Sequence, residues 1–376
     1  MQASFWEHDA MLDADFIVVG GGIIGLQTAL ELREQRPQDR IVVLERGLLP
    51  SGASSRNAGF ACFGSLTEIL SDLDALGDDA VLTMVERRWR GLSRLRQRLS
   101  DDAIGYEAFG GFDLLFEAHL DALQRLDEVN RKLRPLFGGN VFTVDDNALA
   151  ASGFGPQVRA LVKNPLEAQV HSGKLMRALA KLATAHGIEI HTGAHVEALE
   201  ESNGVVHAKV RGAGDRKLVF QAPRVAVCTN GLTGELLRDS GIAPARGQIL
   251  VTQPIAGLPW RGTYHLDQGF YYFRNVGERV LLGGGRNLAF DAEATTDMAL
   301  SDTIQSALER LLHDTILPGR TVRIEHHWPG VMGFAADKQP IVRMLSERVA
   351  LGFGCNGMGV ALGAEIATQT AALLLH

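Results

Sequence analysis

Short apolar runs, separated by a glycine-rich turn and a helical pattern, mark the first part of the chain. The run from Asp15 to Val19 is typical of a buried strand in a parallel sheet. A helical pattern follows from Ile23 to about Arg36, and Pro37 ends it. A second apolar run, Ile41 to Leu44, stops at Glu45. The pattern therefore predicts one strand–helix–strand unit that is complete by residue 45.

The same pattern of short apolar strands, glycine-rich turns and helices returns twice further along the chain. Segments with aromatic residues lie between these regions. Residues 105–120 and 245–285 alternate as strands do, and residues 120–134 predict a polar helix. We therefore expect an α/β (α+β) fold in which two domains are interleaved. The predicted first domain takes residues 1–100, 160–240 and 325–376, and the predicted second domain takes 101–159 and 241–324.

Composition narrows the possible functions. The chain has 376 residues, which suits two domains, and 46% of them are hydrophobic. Its formal net charge of -7 argues against a nucleic-acid partner. A helix predicted at 80–100 is dense in arginine, and we expect a solvated face there rather than a partner site. That face would carry Arg87, Arg88, Arg90, Arg94, Arg96 and Arg98.

Cysteine usage and the N-terminal residues bear on location. The three cysteines, Cys62, Cys228 and Cys355, share no metal-type spacing, so neither a metal site nor a disulfide framework is expected. The first 15 residues lack the apolar region of a signal peptide, and the apolar run FIVVGGGIIGL is too short to span a membrane. We therefore expect a cytoplasmic protein without a transmembrane segment.

Residues 20–25, GGGIIG, fit the G-x-G-x-x-G pattern between the first predicted strand and helix. Gly20 would allow the tight turn, Gly22 a close approach of the backbone to a pyrophosphate, and Gly25 close packing of helix on strand. Glu45 follows 20 residues later at the end of the next strand, where it could bind a ribose hydroxyl pair. An acid there disfavours a 2'-phosphate, so NADP is not expected, whereas NAD and FAD both remain possible.

With the segment SGASSRNAGF, the chain begins to resemble the D-amino-acid-oxidase-like (DAO) superfamily of FAD-dependent oxidoreductases. That group includes D-amino-acid dehydrogenase, glycine oxidase, sarcosine oxidase and gamma-glutamylputrescine oxidoreductase. Nine segments in the right order carry the resemblance over nearly the whole chain. They are VVGGGIIGLQTALEL, LERGLLPSGASSRNAGF, AQVHSGKLMRAL, GIEIHTGAHVEAL, VAVCTNGLTGELL, RGQILVTQP, YYFRNVGERVLLGGG, HWPGVMGFAADKQPIV and GFGCNGMGVALGAEIA.

The resemblance implies an FAD-binding, Rossmann-like domain of the glutathione-reductase type, interleaved with a mixed-sheet substrate domain. It places Glu45 and Arg46 at the adenosine ribose, the backbone of Val196 at adenine, and the turn 354–359 at the flavin pyrimidine. The implied cofactor-binding residues are Gly20, Gly22, Ile23, Ile24, Gly25, Glu45, Arg46, Gly52, Ala53, Ser54, Ser55, Arg56, Asn57, Ala58, Gly59, Val196, Asn230, Gly231, Gly330, Gly354, Asn356, Gly357, Met358 and Gly359.

The chain departs from the family pattern in the residues expected near the substrate. Met332 stands where amino-acid oxidases of the family carry the arginine that binds the substrate carboxylate, and Arg274 is the best alternative cation. No lysine lies between Lys217 and Lys338, so the lysine with which sarcosine oxidases activate oxygen is missing. Gly330 stands where those enzymes link flavin to cysteine, so we expect noncovalent FAD and slow use of O2.

Two histidines and a tyrosine complete the predicted catalytic group. His326 and His327 precede Trp328 near the expected cleft, and an imidazole there could bind the substrate or tune protonation of an amine. Neighbouring side chains of a strand point to opposite faces, so at most one of the two faces the flavin. Tyr272 shares this ambiguity with Tyr271. A purely structural role for either histidine, or for Arg274, stays open.

The resulting functional hypothesis is oxidation of a C–N bond in a small amine or amino acid. Hydride would pass to flavin N5, and the imine would hydrolyse to a carbonyl compound and ammonia or a smaller amine. The electron acceptor that reoxidises the flavin is unknown. Three alternatives remain: an FAD-dependent 2-hydroxy-acid dehydrogenase of the same fold, a catalytically silent flavoprotein subunit, and an NAD dehydrogenase.

Overall fold

The computed structural model of the chain describes residues 4–212, 214 and 216–376. Residues 1–3, with which the predicted first domain begins, lie outside this part. Within the described residues, no helix combines the length and the apolar character that a membrane crossing requires. The architecture is mixed α/β with several sheets, as the sequence predicted.

The described strands are distributed along the whole chain. In order they are β1 (Phe16–Val19), β2 (Ile41–Glu45), β3 (Phe60–Ala61), β4 (Gly111–Phe116), β5 (Thr143–Val144), β6 (Val158–Asn164), β7 (Ala168–Gln169), β8 (Glu189–Thr192), β9 (His195–Ser202), β10 (Val205–Arg211), β11 (Lys217–Ala222), β12 (Arg224–Val227), β13 (Ala243–Thr252), β14 (Thr263–Leu266), β15 (Tyr271–Val276), β16 (Arg279–Gly284), β17 (Ile324–Phe334), β18 (Ile341–Met344) and β19 (Val349–Phe353).

Helices connect these strands. The α-helices are α1 (Phe5–Ala10), α2 (Ile23–Gln35), α3 (Ala53–Arg56), α4 (Leu66–Leu76), α5 (Asp78–Arg98), α6 (Asp101–Ile104), α7 (Leu126–Phe137), α8 (Asp146–Ser152), α9 (Ser172–Ala185), α10 (Thr233–Leu236), α11 (Phe290–Glu293), α12 (Asp302–Leu311) and α13 (Gly359–Leu375). Short 3-10 segments cover Glu117–Arg125, Asn230–Leu232, Asp267–Gly269 and Arg286–Leu288, and a π turn covers Leu312–Ile316.

The first sheet has six strands in the order β18-β19-β12-β1-β2-β8. All neighbours are parallel except β18, which runs antiparallel to β19. Every residue of β1 is buried, because both faces of the sheet are covered. Phe16 and Val18 pack on the side of α2, α9 and α13, whereas Ile17 and Val19 pack on the side of the three-stranded sheet β11-β10-β9.

The second large sheet has eight strands in the order β17-β13-β16-β15-β14-β4-β6-β5. Adjacent strands of this sheet are antiparallel, except that β4 and β14 are parallel to each other. One face packs against α12 over an aromatic core in which the rings of Tyr264 and Phe273 stack 4.6 Å apart. The other face carries Ile249 and Tyr272 and lies against Ala58 and Phe60. This second face forms one wall of the site described below.

The structure confirms the predicted first unit, with a strand at Phe16–Val19, a helix at Ile23–Gln35 and a strand at Ile41–Glu45. The segment 105–120 contains one strand, Gly111–Phe116, and a 3-10 segment follows it. The predicted polar helix begins later than expected, at Leu126. The division into two domains stays a prediction. Strands β6 and β17 belong to the eight-stranded sheet, so we propose that the boundary near 325 lies after Phe334.

The expectation of a solvated arginine face on α5 was wrong for Arg88, Arg94 and Arg98, whereas Arg90 and Arg96 are exposed. Arg88 is buried and donates from Nη1 to the carbonyl oxygen of Phe63, 2.8 Å away. Arg94 and Arg98 both bind the buried carboxylate of Glu31 on α2, at 2.6 and 2.7 Å. These arginines therefore join α5 to the helix that follows the first strand.

Candidate functional site

Two connected cavities lie at the carboxyl ends of β1, β2 and β12. The first, called the small pocket below, has a volume of about 110 Å³ and is lined by Val19, Glu45 and Val196 among others. The second, called the large cavity, has a volume of about 430 Å³, within the range of small-molecule sites. Both are lined by Gly22, Ala53, Ser54, Cys228 and Asn230. The two cavities therefore form one continuous groove.

The glycines of the 20–25 turn are required by close backbone packing. Gly20 has φ of +108°, and a Cβ atom there would lie 2.8 Å from the carbonyl oxygen of Cys228. A Cβ atom on Gly25 would lie 1.8 Å from the carbonyl oxygen of Gly20. Helix α2 begins directly after Gly22, and the N–H of its first residue, Ile23, donates to Ser54 Oγ at 2.9 Å. The turn and the helix N-terminus therefore both face the groove.

Glu45 is buried at the edge of the small pocket, and the backbone fixes its carboxylate. Oε2 accepts a hydrogen bond from the N–H of Gly21, and Oε1 accepts one from the N–H of Gly47, both at 2.8 Å. Each oxygen keeps a further lone pair for a ligand hydroxyl. Arg46 forms an ion pair of 2.8 Å with Glu235, which also lines the pocket. This donor and acceptor set suits the ribose of a dinucleotide.

The loop around α3 is held by its own polar side chains. Asn57 donates from Nδ2 to the carbonyl oxygens of Ala53 and Ser54, and its Oδ1 accepts from the N–H of Gly59 at 2.8 Å. Arg56 donates from Nη1 to the carbonyl oxygen of Pro329 at 3.1 Å.

The predicted cofactor residues of this loop differ in their access to the groove. Ser55 binds the carbonyl oxygen of Pro50 and does not line either cavity. Ser54 lines both cavities. The large cavity is also lined by Arg56, Asn57, Ala58 and Gly59, and the small pocket by Gly52.

A second glycine-rich turn brings the last helix to the large cavity. Gly354, Asn356 and Gly357 all have positive φ, and Asn356 Oδ1 accepts a hydrogen bond from the N–H of Ala335 at 2.8 Å. Asn230 Oδ1 accepts from the N–H of Gly354 at 3.1 Å. The cavity is lined by Asn356, Gly357, Met358 and Gly359, whereas Gly354 and Gly231 do not line it. The N-terminus of α13 therefore offers backbone N–H groups and a positive dipole end to the cavity.

The structure brings only part of the predicted catalytic group to the groove. Tyr272 and Met332 line the large cavity, together with Gly330 and the first residues of α2. Arg274, His326 and His327 do not line it. Burial raises the pKa of Tyr272 to about 12, so its hydroxyl keeps the proton at neutral pH.

The expectation that Arg274 could hold a substrate carboxylate does not fit the geometry. The side chain is buried, and its Nη2 donates to the carbonyl oxygen of Val170 at 3.0 Å while its Nε donates to that of Ala58. Burial lowers its pKa to about 10, which still leaves the guanidinium charged at neutral pH. Arg274 holds the loop that follows α3 against β15, and that loop separates the Arg274 side chain from the cavity.

The two histidines likewise lie outside the cavity. Both are exposed, because β17 extends past the cavity at this end. His327 Nδ1 lies 2.7 Å from Gln305 Oε1 on α12, which packs on the opposite face of the sheet. Trp328 lies nearer the groove and donates from Nε1 to the carbonyl oxygen of Arg56 at 2.9 Å. A catalytic role for His326 or His327 therefore has no support in their positions.

Several ionisable groups at the large cavity were not predicted from the sequence. His265 Nε2 lies 3.0 Å from Glu167 Oε2, and its Nδ1 lies 3.5 Å from Glu68 Oε2. Burial alone disfavours the imidazolium, but the two carboxylates outweigh it and raise the pKa of His265 to about 9. Lys338 forms an ion pair of 2.6 Å with the buried Asp72. The cavity is also lined by Arg286, discussed below.

One of these groups could have been found by sequence reasoning. The hairpin of β14 and β15 places His265 directly opposite Tyr272, so the two side chains share a face. The Cys62 sulfur also lies near His265 and Glu167, with the three donor atoms within 4.8 Å of one another. His265 and Glu167 bind each other there, and burial raises the pKa of the Cys62 thiol well above its usual range.

Comparison with known proteins agrees with this geometry. The DAO family, described as FAD dependent oxidoreductase, matches residues 15–373. The probable oxidoreductase OrdL of Haemophilus influenzae is 23% identical over 367 residues, covering 93% of this chain and 80% of that protein.

The bifunctional protein ThiO/ThiG of Synechocystis sp. is 26% identical over 363 residues and covers 93% of this chain, which spans 48% of that protein. The crystal structure of glycine oxidase from Geobacillus kaustophilus has the same fold. It superposes with a TM-score of 0.77 at 20% identity, over 97% of this chain and 95% of that one.

Proposed function

The chain belongs to the DAO family of FAD-dependent oxidoreductases, and on that premise we propose that it oxidises a C–N bond of a small amine or amino acid. The observation that carries the proposal is the continuous groove. One end, around Glu45, suits an adenosine, and the other end is a larger cavity faced by the N-terminus of α13. Such a groove suits a long dinucleotide whose reactive ring meets a small substrate.

The residues present fit noncovalently held FAD. Glu45, Arg46 and Val196 would hold the adenosine, the turn at 20–25 and Ser54 the pyrophosphate, and residues 356–359 the flavin ring. Burial raises the pKa of the Cys355 thiol to about 12, so the thiol at the cavity stays protonated and is a poor nucleophile. When bound, FAD supplies the acceptor for the hydride of the substrate.

The protein's own contribution is a substrate cavity whose wall is partly apolar. Phe60, Ile249, Phe270 and Phe334 contribute apolar walls. Removal of water from the substrate nitrogen favours the neutral amine over the ammonium ion, and the neutral form is the one from which hydride can leave. The Tyr272 hydroxyl, which keeps its proton, can donate a hydrogen bond to the substrate.

A C–N donor is favoured over a C–O donor by the name of a structural neighbour. Glycine oxidase is named for an amino acid, and its fold matches nearly the whole chain. A 2-hydroxy-acid donor would need the same cofactor and remains the outcome against which the proposal is tested.

The proposal is tested by anaerobic mixing of the purified protein with a panel of amines, amino acids and 2-hydroxy acids, with flavin absorbance as the signal. We expect yellow protein from which acid precipitation releases FAD into the supernatant, and bleaching by at least one amine or amino acid. Flavin that stays in the pellet would contradict noncovalent binding. Bleaching by hydroxy acids alone, or by no donor, would contradict C–N oxidation.

We also propose that O2 is a poor acceptor. Strand β16 carries no lysine, and Lys338, the lysine that does line the cavity, is paired with Asp72. A positive charge beside reduced flavin would otherwise stabilise developing superoxide. Reoxidation by air that is as fast as reoxidation by an artificial quinone acceptor would refute this part.

A further inference from the structure

Arg286 lies just after the end of β16, where the chain leaves the sheet and borders the large cavity. Gly285 has φ of +77°, and this left-handed conformation turns the chain away from the strand direction. Arg286 begins the short 3-10 segment that follows, and its half-buried side chain lines the large cavity beside Tyr272 and Phe334. The guanidinium is therefore brought to the substrate side of the groove by the backbone itself.

Two aromatic rings hold the guanidinium of Arg286 in place. Its central carbon lies 4.5 Å from the ring centroid of Phe334 and 4.9 Å from that of Phe290. Stacking on aromatic faces orients a guanidinium without using its N–H donors. The planar group is thus fixed in position while its hydrogen-bonding edge remains available.

Among the residues that the structure describes, no carboxylate pairs with Arg286. The other basic side chains of the cavity wall are all partnered. Lys338 is paired with Asp72 and His265 with Glu167, whereas the guanidinium groups of Arg56 and Arg88 donate to the carbonyl oxygens of Pro329 and Phe63. The acid that attracts Arg286 most, Glu293, is itself bound by Arg246 in a two-pronged ion pair with both contacts at 2.8 Å. A half-buried cation without a counter-ion is a site for an anionic ligand.

We propose that Arg286 binds the carboxylate of the substrate, so that the substrate is an amino acid rather than a simple amine. The inference rests on the proposed oxidation of a C–N bond and names its substrate class. It also explains how the chain functions with an apolar side chain at position 332.

The arrangement of strands supports this reassignment. Met332 lies on β17 and Arg286 follows β16, and both strands pair with β13 between them. At Gly247 of β13, a Cβ atom would lie 3.0 Å from Met332 Cε and 3.9 Å from the Tyr272 hydroxyl oxygen. Met332 and Tyr272 therefore meet at one place on the wall. Arg286, at the end of β16, therefore lies across β13 from position 332, where amino-acid oxidases of the family carry the arginine.

The first test is binding of a carboxylate that has no oxidisable C–N bond. Acetate and benzoate, each compared with its neutral amide, are titrated into the holoenzyme by calorimetry and by the change in flavin absorbance. We expect the acids to bind more tightly than the amides in the wild-type protein. Arg286→Gln should weaken acid binding roughly tenfold to a hundredfold, and Arg286→Lys should weaken it less. Binding of acids no tighter than that of amides would overturn the proposal.

Arg261→Gln is the matched control. Arg261 also stacks on a phenylalanine ring, 5.5 Å from the centroid of Phe109, but it is exposed and does not line the cavity. Acid binding should be unchanged in this variant. Equal loss in the Arg261 and Arg286 variants would show a general charge effect and would overturn the assignment. Flavin content and melting temperature of each variant identify any variant that fails to fold. If Arg286→Gln fails to fold, weaker acid binding by Arg286→Lys than by the wild type supports the assignment, and unchanged acid binding overturns it.

A second readout separates this inference from the proposed function. For an amino-acid donor, Arg286→Gln should raise KM strongly, whereas for an amine donor without a carboxylate KM should stay nearly constant. If no donor reduces the flavin but carboxylates still bind through Arg286, the proposed oxidation fails and the anion site stands. If amines are oxidised and carboxylates bind equally well to wild type and Arg286→Gln, the oxidation stands and the role of Arg286 is refuted.

Discussion

The two ends of the groove satisfy their polar groups in different ways. At the small pocket, Glu45 accepts hydrogen bonds from backbone N–H groups, and Arg46 pairs with Glu235. At the large cavity, the Arg286 guanidinium and the Tyr272 hydroxyl have no hydrogen-bond partner within the described part of the chain. The first end is preorganised for a cofactor of constant shape, whereas the second keeps donors available for a substrate.

The largest effect is expected at the junction of the two ends. A Cβ atom on Gly22 would lie 2.8 Å from Ser54 Oγ, which accepts the first N–H of α2. Gly22→Val should therefore abolish FAD binding and leave the purified protein colourless. The flavin-to-protein ratio from absorbance measures this. Gly234→Ala is the control, since nothing lies within 4 Å of the added Cβ atom. A normal flavin ratio in Gly22→Val would show that the turn does not hold the cofactor.

The second effect concerns the charged wall of the large cavity. Because the folded-state pKa of His265 is raised to about 9 from an ordinary 6.5, its stabilising contribution is complete below pH 6.5. That contribution is lost as pH rises through 9, and amounts to on the order of 3 kcal/mol. The pKa of the nearby Asp113 is raised to about 6 by burial, so its titration lies below this window.

Urea unfolding of wild type and His265→Gln between pH 6 and pH 10 measures the effect. The stability of the wild type should fall more steeply with pH than that of the variant. His186→Gln, at an exposed helix end, should keep the steep wild-type dependence. Parallel curves for wild type and His265→Gln would contradict a charged His265 held by Glu167 and Glu68.

A third effect distinguishes the buried Arg274 from the half-buried Arg286. Arg274→Leu leaves the carbonyl oxygens of Ala58 and Val170 without their donor, which should cost about 1–3 kcal/mol of unfolding free energy. KM for the substrate should change little, because Arg274 does not line the cavity. A strong rise in KM at unchanged stability would restore Arg274 as the substrate cation.

The smallest effect is expected from one hydroxyl. Tyr272→Phe removes a hydrogen-bond donor from the cavity wall and leaves the ring contact with Phe60, 5.6 Å between centroids, intact. We expect kcat/KM to fall roughly five- to tenfold with unchanged flavin content. Rapid kinetics of flavin reduction measure the first quantity and absorbance the second. An unchanged kcat/KM would show that the hydroxyl does not contact the substrate.

One wall of the small pocket could be predicted from the sequence because residues close together in the chain build it, whereas Val196 and Glu235 on the other side come from distant segments. The turn 20–25 and Glu45 belong to one strand–helix–strand unit, whose geometry is set by backbone sterics and hydrogen bonds. The large cavity is built instead from strands and helices far apart in sequence. Glu68, His265 and Arg286 come from α4, β14 and the end of β16, and no local pattern joins them.

Alternation along the strands shows which side chains share a face, but it predicts neither which face meets the cavity nor how far the cavity extends. Arg274 shares a face with Tyr272 on β15, and yet the loop containing Ala58 covers it. His326 shares a face with Met332 on β17, but it lies beyond the cavity, where the strand is exposed. The two-residue period of a strand fixes the side, whereas packing of distant loops decides which positions on that side remain open.

The most direct test of C–N oxidation is the stoichiometry of nitrogen release. Holoenzyme is mixed anaerobically with an acyclic amino acid that reduces the flavin. Flavin absorbance is followed while the carbonyl product and the released ammonia or smaller amine are quantified. We expect one nitrogen compound and one carbonyl compound to be released per flavin reduced. Flavin that is reduced without release of any nitrogen compound would contradict it.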